Sequence, residues 1–144
     1  MGHRRRAREF ALQMLFQIDL TGGSPGQVFR EFWTDREDEE SVRGFAEQLV
    51  LGVHGRRQEL DEMISSSAEH WRIGRMAVVD RNVLRIAAYE LLHGPPTPPA
   101  VVIDEAIEVA KKFGSEESGG FINGVLDAIR RSAVGRGDAG EREA

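Results

Sequence analysis

The chain has 144 residues, of which 40% are hydrophobic and 30% charged, with no cysteine and a formal net charge of −5. That size and composition describe one ordinary globular domain, and the absence of thiols excludes a disulfide framework, a thiolate metal site and a cysteine nucleophile. No apolar run approaches the roughly 18 residues of a membrane span, and no apolar segment follows the N-terminal arginines as it would in a secretory signal, so a cytoplasmic location is expected.

Charge is segregated along the chain. Arg4, Arg5, Arg6 and Arg8 place +4 in the first eight residues, so the remainder, −5 minus +4, carries −9. A basic end on an acidic body presents a local site for an anion. The run leads directly into a helical pattern from Arg5 to Leu20: Ala7, Phe10, Ala11, Met14, Leu15 and Ile18 form one apolar stripe, and Leu12, Phe16 and Leu20 a second. A helix apolar on two sides is either central to a bundle or shares its second face with a partner.

Thr21-Gly22-Gly23-Ser24-Pro25 breaks the pattern, with Ser24 as N-cap and Pro25 as first residue of a short helix over Gln27–Trp33. Thr34–Glu40 is acidic without an apolar anchor and reads as a solvated linker. From Ser41 to Ser65 one long helical stripe runs through Val42, Phe45, Leu49, Val53, Leu60, Met63 and Ile64. Gly52 and Gly55 within it permit another helix to approach closely or mark a bend. Trp71–Met76 is a short helical or irregular connector. Val78–Leu92 is apolar around most of its circumference, as in an enclosed helix, and Gly94–Pro99 stops it. Ile103, Ala106, Ile107, Ala110 and Phe113 mark a further helix with Gly114 just past its end. Ser115 caps a last one containing Phe121, Ile122, Val125, Leu126 and Ile129. Six or seven helices and no strand make the chain all-α, a single domain over residues 1–132, with a disordered tail from 133 to 144.

Enzymatic chemistry finds little support in these residues. His3, His54, His70 and His93 have no partner at metal-ligand spacing. Glu90 and His93 form one Glu-x-x-His unit where a di-iron bundle needs two. Asp104, Glu105 and Glu108 lie near Lys111 and Lys112, an ordinary ion-paired surface. Gly119-Gly120 lacks the strand and lysine of a phosphate loop. No metal and no cofactor are expected. Asp80, Arg81, Arg85 and Glu90, set in an apolar helix, either pair internally or form a polar strip in a protein–protein contact. An arginine-rich helix start carries delocalised charge and forked donors suited to RNA phosphate.

Several stretches together resemble the NusB family of bacterial transcription antitermination factors. They are Arg6-Ala7-Arg8-Glu9 with Ala11–Gln17 and Asp19, Leu49–Val53, Leu60-Asp61, Trp71, Val79–Arg81, Leu84–Leu91, Ile103–Lys111 and Phe121–Asp127. The resemblance implies an all-helical NusB-like fold, two small bundles packed about the N-terminal helix. It implies a non-enzymatic factor that binds boxA RNA of ribosomal RNA operons with NusE, a small-subunit ribosomal protein, in a complex with NusA, NusG and RNA polymerase. By position it implies RNA contacts at Arg4, Arg5, Arg6 and Arg8, and at Lys112, Ser115, Glu117, Ser118 and Phe121. Leu12, Phe16 and Asp80 are expected to face NusE. Phe16 stands where some relatives have Tyr, Asp80 is shorter than the Glu of others, and Gly119-Gly120 stands where a basic residue often precedes the Phe. Competing readings are a homodimer built on the Leu12/Phe16 face and an accessory module of an RNA-modifying enzyme.

Overall fold

The computed structural model describes residues 2–69 and 71–143, with side-chain surroundings described as far as residue 133. Among the described residues there are seven α-helices: α1 (His3–Thr21), α2 (Pro25–Thr34), α3 (Glu40–Gly55), α4 (Arg57–Ser67), α5 (Val78–Leu92), α6 (Pro99–Phe113) and α7 (Ser118–Glu143), with a 3-10 turn at Ile73–Arg75 between α4 and α5. No strand occurs among the described residues. None of these helices is long and apolar enough to cross a membrane. The expected tail, 133–144, and His70 fall almost wholly outside the residues whose surroundings are described.

The helices form two groups joined through α1 and α5. In the first, α1 packs on α2 and α3; in the second, α4, α5, α6 and α7 pack on one another, and α1 also touches α5 and α6. The core draws on every helix, and Val83 to Tyr89 of α5 is buried without interruption, as its all-round apolar pattern requires. Phe10 of α1 meets Phe32 and Trp33 of α2 edge-on at 5.6 and 5.5 Å, while Trp33 Nε1 donates to Glu47 of α3 at 2.8 Å. These contacts hold the short α2 against its neighbours.

Local chemistry explains most boundaries. The Ser24 hydroxyl accepts the Gln27 N–H at 3.3 Å, with Pro25 in the first turn of α2, so that helix starts two residues before the expected Gln27. The stripe expected as one helix from Ser41 to Ser65 is two, because the chain turns at Gly55-Arg56. Gly52 permits the close approach: a Cβ there would sit inside the buried Tyr89 ring of α5. Gly114 follows α6 with extended dihedrals rather than a left-handed cap, and its missing side chain leaves room for the Ala110 carbonyl, 2.8 Å from where a Cβ would be. The last helix begins at Ser118 rather than directly after Ser115. Ser118 Oγ accepts the Ser115 N–H at 3.0 Å, closing the turn between them.

Candidate nucleic-acid interface

The arginine run occupies the first turn and a half of α1, whose N-cap is Gly2 in a left-handed conformation, with no side-chain cap and no acid in the first turn. Its four side chains diverge around the helix and meet four different environments. Arg5 grips Glu105 of α6 through two bonds, Nε at 2.7 Å and Nη2 at 3.0 Å. Arg6 grips Asp38 of the α2–α3 loop at 2.9 and 2.8 Å. Arg8 grips Glu90 of α5 at 2.9 and 2.8 Å in the protein interior. Arg4 alone has no carboxylate partner among the described residues; its guanidinium carbon lies 4.6 Å from the centroid of the Phe45 ring. Beside Arg5, Lys112 Nζ reaches Glu9 at 3.0 Å and extends the same edge onto the end of α6.

Electrostatics follow from these pairs. The hydrogen bond and charge of Arg5 hold the Glu105 carboxyl below the usual carboxylate range, against partial burial. The hydrogen bond from Arg6 and the Glu39 N–H do the same for Asp38. Both carboxylates are therefore ionised at neutral pH and occupy the positions where phosphate oxygens would meet the two forks. A phosphate reaching Arg5 or Arg6 exchanges with an acid already there. The α2–α3 loop, expected as a free linker, is anchored to α1 by this Asp38 contact.

Three expected site residues have other roles. Arg8 is 5% exposed in its side chain and Glu90 2%, so this guanidinium belongs to the core and is withdrawn from the RNA surface. Leu12 is 2% exposed and packs within the monomer, which removes it from the partner face. Ser118 is buried with its hydroxyl engaged by the Ser115 N–H, so it shapes the turn before α7 without offering a contact. The second stripe of α1 thus divides: Leu12 turns inward, while Phe16 and Leu20 remain exposed at 37% and 63%.

Ser115, Glu117 and Phe121 do come together. They line a groove of about 370 Å³ with Trp71, Arg75, Met76, Ala77, Ser118 and Asp80. Trp71 stands edge-on to Phe121 with centroids 6.2 Å apart and is largely exposed, an aromatic wall beside the basic Arg75. The sequence marked Trp71 only as part of a pattern, and no spacing linked it or Arg75 to Phe121. Asp80, expected at the partner face, enters this groove instead, and its Oδ1 is buried with no hydrogen-bond donor among the described residues.

The other charges of α5 pair internally. Asp19, near the end of α1, receives Arg81 Nε at 3.0 Å, Asn82 Nδ2 at 3.0 Å, Arg85 Nη1 at 3.1 Å and Arg57 Nη2 at 2.9 Å. Burial alone would raise the Asp19 carboxyl, but the bonds from Asn82 and Arg81 and the charges of Arg85 and Arg57 outweigh it and hold it low. Arg85 also forks onto Asp61 at 2.7 and 3.1 Å. Glu90 faces Arg8 and His93 faces Glu59, so the Glu-x-x-His unit is divided between two partners. No group of three metal-ligating side chains occurs among the described residues.

Residues 5–131 match the NusB family. The chain belongs to that family. The transcription antitermination protein NusB of Koribacter versatilis is 51% identical over 131 residues, 90% of each chain. The protein of the same name from Desulforapulum autotrophicum is 46% identical over 145 residues, covering 99% of this chain and all of that one. Among solved structures, NusB of T. maritima superposes with a TM-score of 0.82 at 40% identity, over 89% of this chain and 90% of that one. A crystal structure of the antitermination factors NusB and NusE in complex with dsRNA gives a TM-score of 0.83 at 31% identity, over 92% and 98%. NusB-family membership extends over both groups of helices and over all but the first of the four arginines.

Proposed function

We propose that this chain is a non-catalytic antitermination factor that binds boxA-type RNA of ribosomal RNA operons jointly with a NusE-type partner and, through it, joins NusA, NusG and RNA polymerase. The observation that carries the reading is the family match over residues 5–131, which includes a basic helix start and an aromatic groove on one chain. On this reading Arg4 meets phosphate directly, Arg5 and Arg6 exchange Glu105 and Asp38 for phosphate, and Lys112 extends the track. Ser115, Glu117 and Phe121, with Trp71, take unstacked bases at the groove. Phe16 and Leu20 form the apolar part of the partner face.

The physics favours a composite site. Three surface arginines give a salt slope of only about −2 in log K against log salt on single-stranded RNA, and two of them must first release a carboxylate. A partner sharing the RNA supplies the missing contacts. Fluorescence anisotropy with a boxA-like RNA tests this directly. Affinity should rise at least tenfold when the NusE-type protein is added and fall when the RNA sequence is scrambled. Binding indifferent to both would defeat the proposal.

A further inference from the structure

A second opening lies on the opposite flank of the arginine run from Lys112. Between the first turn of α1 and α3 is a hollow of about 490 Å³ lined by His3, Arg4, Ser41, Phe45, Gln48 and Pro95. Ser41, Phe45 and Gln48 fall at i, i+4 and i+7 and so share one stripe of α3. Phe45 is half-buried and packed against the core, which fixes its ring as a floor. Neither the Ser41 hydroxyl nor the Gln48 amide hydrogen-bonds within the protein among the described residues, so both polar edges are available.

Charge around the hollow is uneven. Arg4 stands over the ring without an acid partner, while Arg8 beneath, 5.7 Å from the same centroid, is neutralised by Glu90. The open N–H groups at the start of α1 add positive potential at the rim. Glu39 lies 3.2 Å from His3 Nδ1 at one rim, which leaves Arg4 as the lining cation without a carboxylate partner among the described residues.

We infer that this hollow seats one unpaired nucleotide of the bound RNA. Its base lies against Phe45 and Pro95, its polar edge meets Ser41 and Gln48, and its phosphate pairs with Arg4. In the free protein the Arg4 guanidinium covers the ring face that the base takes over, and it moves to the phosphate when the base arrives. A flat π-face, a cation and two adaptable polar groups are what single-stranded nucleic acid requires of a seat. This inference rests on the RNA-binding reading above and adds a track along α3 to the one along α6.

The test uses the full chain with its NusE-type partner and a boxA-like RNA carrying 2-aminopurine at each position in turn. One position should change fluorescence on binding, and Gln48→Ala and Phe45→Leu should abolish that change. Phe45→Leu should weaken affinity roughly 5- to 30-fold. Gln48→Glu, at an exposed position that cannot unfold the core, should weaken it at least fivefold, and Gln58→Glu on α4 should not. Arg4→Ala should reduce the salt slope by about 0.7. If Gln48→Glu binds like Gln58→Glu while the wild type still prefers boxA-like RNA, the nucleotide seat is overturned and the RNA reading stands. A loss of affinity with no responsive 2-aminopurine position also overturns the seat, leaving only a charge effect. Failure of the wild type to bind RNA overturns both.

Discussion

In an Arg8→Met variant the Glu90 carboxylate keeps its burial and loses both of the bonds, at 2.9 and 2.8 Å, that compensate for it. The other side chains lining the small cavity at the pair, Val83, Ile86, Ala87, Ala106 and Val109, are apolar and offer no replacement donor. Breaking a buried ion pair by removing one partner costs about 3–5 kcal/mol, a large part of the ~5–15 kcal/mol that stabilises a domain. With a urea dependence near 2 kcal/mol per molar, the unfolding midpoint should fall by roughly 2 M. Arg8→Met/Glu90→Leu, which removes both charges, should recover most of that loss, because apolar side chains suit those walls and no charge is left stranded. Urea titration followed by circular dichroism measures both, and the double-mutant cycle isolates the coupling. The RNA-binding salt slope of the double variant should equal that of the wild type. A stable Arg8→Met with a reduced salt slope would refute the reasoning and return Arg8 to the RNA surface.

Other outcomes follow from the same geometry. Asp38→Asn should raise RNA affinity about two- to fivefold in anisotropy by freeing Arg6 for phosphate; unchanged affinity would mean that Arg6 is not used. Glu105→Gln should destabilise the protein at neutral pH. Because the folded carboxyl lies below its unfolded value near ~4.3, the contribution of the Arg5 bond is complete above that value and lost as pH falls through the lower, folded one. The stability gap between wild type and variant should therefore close in acid, and a gap independent of pH would point to packing instead. Gly52→Ala should cost about 1–3 kcal/mol by overpacking against Tyr89, despite better helix propensity, and adding Tyr89→Leu should relieve it. Phe16→Asp should abolish binding of the NusE-type partner in a pull-down without shifting the melting temperature by more than a few degrees, as its exposure at 37% allows.

The helices were legible because their signals are local. Ser24-Pro25 marked a start, Gly94–Pro99 a stop, and Ile103, Ala106 and Ala110 part of the buried face of α6, which turns toward Val102 and Val109 and leaves Phe113 exposed. The break at Gly55-Arg56 was harder, since Leu60 and Ile64 continue the stripe of Leu49 and Val53 in sequence although the axis changes. The basic run was equally plain as a run, but which of its members remain available depended on acids 32, 82 and 100 positions away. A helical wheel places Arg8 beside Leu12 without showing that α5 brings Glu90 to the same spot. Trp71 and Arg75 were missed as a wall of the groove for the same reason: only the packing of α7 brings Phe121 against that connector.

The helix that carries the arginines is staked at both ends. At one end Arg5, Arg6 and Arg8 tie it to α6, the α2–α3 loop and α5, and at the other Asp19 collects guanidiniums from α4 and α5. On this rod Arg4, just before the first anchor, and Phe16, between the two, stand twelve residues apart, a separation of about 18 Å along the axis. Such a rod acts as a gauge block. On the proposed function it presents the nucleic-acid end and the partner end at a set spacing before either ligand arrives, so mutual reinforcement would come from an RNA strand bridging the two proteins, with side chains exchanging partners while the rod itself stays fixed.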